Sequence, residues 1–124
     1  LIAGRISGHR DGFGFLIPDD GSDDLFMSPA QMRLVFDGDR ALARVSGLDR
    51  RGRREGVIVE VVSRAHETIV GRYFEEGGIG FVTPDNPKVQ QEVLITPGRH
   101  GAAKIGQFVG VKITHWPTAR FQPQ

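Results

Sequence analysis

The sequence predicts an all-β chain built from two tandem small barrels, the second lacking its last strand. Three observations carry this. Short β-branched or aromatic runs recur, each bounded by Gly, Pro, Asp or Asn, which is the pattern of a small barrel or sandwich. Seventeen glycines among 124 residues break every window in which a long helix could form. The set of runs also occurs twice. Gly4-Arg5 opens a stretch that reaches Gly14-Phe15 and Pro18-Asp19, and Gly71-Arg72 opens one that reaches Gly80-Phe81 and Pro84-Asp85, one residue shorter. Gly38-Asp39 and Gly106-Gln107 each precede a long strand in the same order.

Taken along the chain, the first unit (residues 1–65) is read as strands near Ile2–Ser7, Gly12–Ile17, Asp24–Ser28, Arg40–Gly47 and Arg54–Val62. In the second of these, side chains alternate, so Gly14 and Leu16 share one face while Phe13 and Phe15 share the other. Leu16 suits a core, and Gly14 permits sharp coiling of a barrel strand. The third strand repeats this logic, with Leu25 and Met27 inward and Phe26 outward. The second unit (residues 66–124) is read as strands near Thr68–Phe74, Gly78–Thr83, Gln91–Ile95 and Gln107–His115.

Composition excludes several classes of function. No apolar run approaches the roughly 18 residues of a membrane span. There are no cysteines, so disulfides, thiol catalysis and thiolate zinc sites are out. His9, His66, His100 and His115 show no metal-ligand spacing, no serine sits in a nucleophile elbow, and closely spaced aspartates in a strand–loop setting that would hold magnesium are absent. No catalytic residue and no metal ligand is therefore assigned. With 16 basic and 15 acidic side chains the formal charge is +1, which by itself points away from a nucleic-acid partner. Thirteen of the 16 basic residues are arginine, however, a residue whose planar fork binds phosphate and stacks on bases.

The aromatic strands outweigh the charge and point to a nucleic-acid partner. Phe13, Phe15 and Phe26 on one outer face form a platform for unpaired bases, each stacked base contributing about 1–3 kcal/mol. A reversed phase, with these rings in the core, would bury Ser28 and expose Leu16, Leu25 and Met27. His9 and Arg10 adjoin the aromatic strand. Arg50, Arg51, Arg53 and Arg54 surround Gly52 in a turn before the last strand, either as phosphate contacts or as a solvated hairpin tip. The cluster Asp19-Asp20-Gly21-Ser22-Asp23-Asp24 reads as a solvated loop, and Trp116 as a packing residue.

Asp11-Gly12-Phe13-Gly14-Phe15-Leu16 and Asp24-Leu25-Phe26-Met27-Ser28 resemble the two ribonucleoprotein-type motifs of cold-shock domains. Together with Asp49-Arg50-Arg51-Gly52-Arg53-Arg54-Glu55 and Ile69-Val70-Gly71-Arg72-Tyr73-Phe74, they resemble the N-terminal tandem cold-shock domains of bacterial ribonuclease R, in the exoribonuclease II/R family. The resemblance covers essentially the whole chain. It implies two OB-fold barrels, five-stranded when complete, lying ahead of a magnesium-dependent catalytic domain in a cytoplasmic 3′→5′ exoribonuclease. The segment itself is then expected not to cut RNA and to need no cofactor. Its expected partners are single-stranded or partly structured RNA and the catalytic domain of the same chain, with no membrane. Departures from the motif are Asp11 in place of Lys and Ser28 in place of His; in the second copy Ile79 replaces the first Phe and Phe81 keeps the second. Tyr73 and Phe74 are expected to restore an aromatic surface there. The competing functions are a structural or autoinhibitory module packed on the catalytic domain, and a stand-alone cold-shock RNA chaperone.

The repeat also makes a stability prediction. In the first copy the last strand begins near Gly56, 18 residues after Gly38, and the same offset from Gly106 falls at position 124. The second barrel is therefore expected to lack its closing strand within these residues, leaving an open sheet edge. A short extension past Gln124 is expected to raise the melting temperature, and equal melting temperatures would count against it.

Overall fold

The strands form where β-branched and aromatic residues alternate, and two glycines set how closely the first pair in each unit can approach. The computed structural model describes residues 1–124. Its elements are β1 (Ile2–Gly8), β2 (Gly14–Pro18), β3 (Leu25–Met27), α1 (Pro29–Met32), β4 (Arg40–Leu48), β5 (Arg54–Ser63), β6 (Thr68–Glu76), β7 (Ile79–Pro84), β8 (Val93–Ile95) and β9 (Phe108–Lys112). The first five strands close a barrel in the order β1-β2-β3-β5-β4. The other four form a sheet in the order β8-β7-β6-β9.

The repeat seen in sequence is a repeat of hydrogen bonds. Gly4 pairs with Pro18 and Gly71 with Pro84 in the same antiparallel register. A Cβ on either glycine would collide with a carbonyl oxygen across the pair, that of Ile17 or of Thr83. Two residues beyond each glycine, Ile6 exchanges bonds with the Gly38-Asp39 turn (both 2.8 Å), as Tyr73 does with Gly106-Gln107 (2.8 and 2.9 Å). Asp19 and Asp85 donate back to Ala3 and Val70, each at 3.0 Å. The last residues of the chain reach the open side of the second sheet, where the Leu94 N–H donates to Pro123 and Gln124 exchanges bonds with His115.

Sequence reading assigned no helix, yet α1 follows β3. Ser28 is its cap, its hydroxyl accepting from the Gln31 N–H, and Pro29 starts the first turn. Met32 from this turn lies over Gly14, where no side chain competes for the space.

Each unit has its own core. Ile6, Leu16, Leu25, Met27, Met32, Val35, Ala41 and Ala43 fill the barrel. Ile69, Tyr73, Val82, Val89, Val93 and Ile113 fill the second unit, and Phe36 joins them across the boundary from the first. Val35 and Phe36 thus point into different cores from adjacent positions. Trp116 packs edge-on to Phe36 (6.1 Å between ring centres) and faces the Arg64 guanidinium at 4.6 Å. The Gln91 side-chain amide donates to the carbonyls of Met32 (3.3 Å) and Val35 (3.1 Å).

Asp39 joins these parts. Its carboxylate is fully buried and accepts from the Phe36 N–H (2.8 Å), the Ala65 N–H (2.9 Å) and Arg64 (3.1 Å). Truncating one member of a buried, hydrogen-bonded pair costs about 3–5 kcal/mol. Asp39→Ala is therefore expected to lower stability by about that much in a urea unfolding curve. An unchanged midpoint would show that the units hold together without it.

Candidate nucleic-acid interface

The alternation in β2 and β3 sends Leu16, Leu25 and Met27 into the core and leaves Phe15 and Phe26 half-buried on the outer face. Phe15 and Phe26 are direct partners in the antiparallel register, which brings their rings to 6.0 Å. Phe13 stands 5.9 Å from Phe15 and 5.7 Å from Phe26, so the three rings form one cluster. Two further planar groups extend it. The His9 imidazole stacks on Phe13 at 4.3 Å with planes 12° apart, and the Arg53 guanidinium lies 4.4 Å over Phe26 and 5.8 Å from Phe15. The aromatic face is thus flanked by an imidazole on one side and a guanidinium on the other.

Arg53 is placed by the turn that precedes β5. Gly52 takes a positive φ of 78°, and the Asp49 carboxylate accepts from the N–H groups of Arg51 and Arg53 (both 2.8 Å) and from Arg53 Nε (2.7 Å). Burial works against ionisation of Asp49, but these N–H donors and the guanidinium outweigh it and hold the carboxyl below its ordinary range. Arg10, Arg50 and Arg51 are exposed, with side chains free of ion pairs, Arg10 next to His9 in sequence and Arg50 and Arg51 in the same turn as Arg53.

Two expected contacts need correction. Tyr73 is buried in the core of the second unit, its hydroxyl bonded to Glu75 at 2.8 Å, so it offers no ring to a base. The cause is strand phase: Tyr73 occupies the position of Ile6 in the first unit, two residues after the paired glycine. Burial, with the Glu75 bond and charge, raises its hydroxyl pKa. Arg54, one residue past Arg53, turns to the other side and is bonded to the Asp23 carbonyl and the Ser22 hydroxyl. It ties the acidic loop to β5 and does not join the platform. In that loop Asp20 accepts from the Ser22 hydroxyl and N–H, which lower its pKa, and Asp19 pairs with Arg40.

Phe81 does lie on an outer face, stacked on Phe74 at 5.3 Å with planes 20° apart. Sequence reading missed their neighbours, since Arg72 lies 4.2 Å over the exposed Phe108 on β9. The available signal was the exposed phase of β6, which places Arg72 and Phe74 on one face. No three His, Asp or Glu side chains come together as metal ligands.

A closed barrel followed by a second, four-stranded unit, the barrel carrying a half-buried cluster of three phenylalanines on the outer face of β2 and β3 and the turn before them, defines a paired OB-type and cold-shock module. Family models agree: residues 4–61 match the ribonuclease B OB domain and residues 81–124 match the cold shock domain. Ribonuclease R of Acidithiobacillus ferrooxidans is 46% identical over 126 aligned residues, covering 100% of this chain and 29% of the relative. Ribonuclease R of Escherichia coli is 45% identical over 97% of this chain and 15% of the relative. Among solved structures, Mycoplasma genitalium RNase R in complex with ribose-methylated single-stranded RNA superposes with a TM-score of 0.77 at 14% identity, over 94% of this chain and 19% of that one. Yeast Ssd1, a pseudonuclease, superposes with a TM-score of 0.71 at 16% identity, over 98% of this chain and 21% of that one. The chain belongs to the ribonuclease R family, as its tandem OB and cold-shock domains, and spans less than a third of the relatives it matches.

The depressed Asp49 pKa sets a pH dependence. A carboxyl whose folded pKa lies below its unfolded value adds stability above the unfolded value, near 4, and loses it as pH falls through the folded one. Melting temperature is expected to fall on acidification below about pH 4, with Asp49→Asn showing less of that fall than the parent chain. Identical profiles would remove Asp49 as the holder of Arg53.

Proposed function

We propose that these residues are the RNA-binding region of a 3′→5′ exoribonuclease of the ribonuclease R type, which takes up single-stranded or partly structured RNA and feeds it to a catalytic domain elsewhere in the same protein. The observation that carries this reading is the aromatic cluster of Phe13, Phe15 and Phe26, flanked by His9 and Arg53. Base stacking on such rings is tolerant of sequence, as a degrading enzyme requires, because every base has a π-face. The solved relative with single-stranded RNA bound shares this fold over nearly the whole chain, which supports RNA as the ligand.

In this reading the rings stack bases while Arg10, Arg50 and Arg51 hold phosphates. Arg53 does both, since a guanidinium lying over a ring still directs N–H groups outward at its edge. The second unit, with Phe81 on Phe74 and Arg72 on Phe108, adds a smaller stacking surface. The family places magnesium in the catalytic domain, and the side chains of this chain do not form a cluster that fits it. The segment itself binds RNA without cutting it, and the proposed setting is the cytoplasm. No helix is long and apolar enough to cross a membrane.

A second reading, a structural or autoinhibitory module packed on the catalytic domain, draws on exposed apolar side chains of the β4–β5 pair, Leu48 (68% exposed), Val59 (50%) and Val62 (56%). RNA titration separates the two. With three or four phosphates neutralised, single-strand binding is expected to weaken with a log–log salt slope of about −2 to −3. Replacing Phe13 and Phe15 together by Ala is expected to weaken it at least about tenfold. Weak, salt-insensitive binding that ignores the double substitution would favour the packing module.

A further inference from the structure

The platform ends at His9. In the turn that carries His9, its N–H donates to the Phe13 carbonyl (2.9 Å), the Gly12 N–H donates to the His9 carbonyl (3.0 Å), and the Asp11 N–H donates to His9 Nδ1 (3.1 Å). The imidazole is thereby held flat on Phe13, where one more base would otherwise stack. The face of Phe13 that His9 covers is closed to a base, so a strand stacked on the phenylalanines meets the His9 ring at this edge.

Beside that edge lies a cleft of about 250 Å³ between the two units. His9 and Phe13 line it from the platform side, and Arg33, Lys88 and Gln90 reach it from the loop after α1 and the loop before β8. The cleft is built from fixed parts. Gln91 is bonded to two carbonyls of the first unit, and Val89 is buried in the second core. The intervening loop is turned by Asn86, whose side chain accepts from the Lys88 N–H (3.0 Å) and whose carbonyl accepts from the Val89 N–H (3.0 Å). Gly8 leaves room for this loop, since a Cβ there would come within 2.5 Å of the Lys88 carbonyl oxygen. The structure has four ion pairs, and neither Arg33 nor Lys88 takes part in any of them.

We propose that this cleft is a second subsite for the same RNA strand. It takes the nucleotide next to the one on Phe13 and holds its phosphate between Arg33 of the first unit and Lys88 of the second. The inference rests on the RNA-binding reading above and adds a ligand position to it. A strand bound this way touches both units at once, so RNA binding favours their docked arrangement, as any ligand favours the state that binds it.

The test uses two single-stranded probes on the full 124-residue chain. A uridine trinucleotide covers only the phenylalanines, whereas a uridine hexanucleotide extends into the cleft. Arg33 and Lys88 are exposed, and a melting curve checks that the Arg33→Ala/Lys88→Ala variant stays folded. That variant is expected to bind the hexanucleotide several-fold more weakly, with a salt slope shallower by about 0.7 for the one lost phosphate, and to bind the trinucleotide like the parent. Equal loss on both probes, or no loss on the hexanucleotide, would overturn the cleft. The Phe13→Ala/Phe15→Ala variant distinguishes the two levels. If it binds the hexanucleotide as tightly as the parent, the RNA-binding reading fails and the cleft with it. If it loses binding while the Arg33/Lys88 variant does not, the cleft alone fails.

Discussion

The arrangement of the molecule depends on one buried carboxylate. Asp39 has no contact with water and is held by two backbone N–H groups and the Arg64 guanidinium. A charge in that position would be costly unless each lone pair met a donor, and here the donors come from separate parts of the chain. The Phe36 N–H fixes the loop that sends Phe36 into the second core, and Ala65 and Arg64 belong to the link between β5 and β6. Through its own backbone Asp39 also closes the turn onto Ile6 in β1. Arg64, once placed, faces Trp116, which packs against Phe36. The two units are therefore coupled through a polar centre surrounded by apolar contacts, and any surface that spans them inherits its geometry from that centre.

Much of this was legible in the sequence because the governing signals are local. Alternation placed Leu16, Leu25 and Met27 inside and the phenylalanines outside, since a half-buried strand has only two phases and only one of them buries the aliphatic residues. The paired Gly-Arg, Gly-Phe and Pro-Asp steps marked equivalent hydrogen bonds in the two units. The unread parts are contacts between distant residues or short-range competitions. Gln91 with Met32 and Val35, and Phe36 in the other unit's core, leave no periodic trace. The turn of α1 is too short for helical periodicity and depends on Ser28 as its cap. The aromatic character of Tyr73 suggests an outer face, whereas its position in the repeat aligns it with Ile6, and position decides.

Arg53 and Arg54 show how adjacent arginines can take opposite roles. Arg53 is bound by Asp49 within its own turn and lies over Phe26, whereas Arg54 reaches the acidic loop. Successive residues in extended backbone face opposite sides, so a run of basic residues is divided by the strand it enters. Composition counts these side chains as equal, while the fold commits some to structure and leaves others for a ligand. Arg40, Arg54 and Arg64 hold acidic side chains or carbonyls, and the acidic groups near them are occupied in return.

This division changes the meaning of a formal charge of +1. Long-range attraction for a polyanion follows the net charge, and here it is small. Short-range recognition follows from groups already in place, and an arginine held over a phenyl ring by a neighbouring carboxylate loses less conformational freedom on binding than a free one. The same Asp49 that cancels a charge at a distance therefore positions one at contact. In the proposed RNA-binding role, a nearly neutral module of this kind would favour unpaired strands over duplex, because stacking requires an exposed base face, whereas bulk positive charge would favour the duplex with its denser phosphates. In that role near-neutrality and an aromatic face would be one design, with the arginines supplying contact where the bases are already stacked.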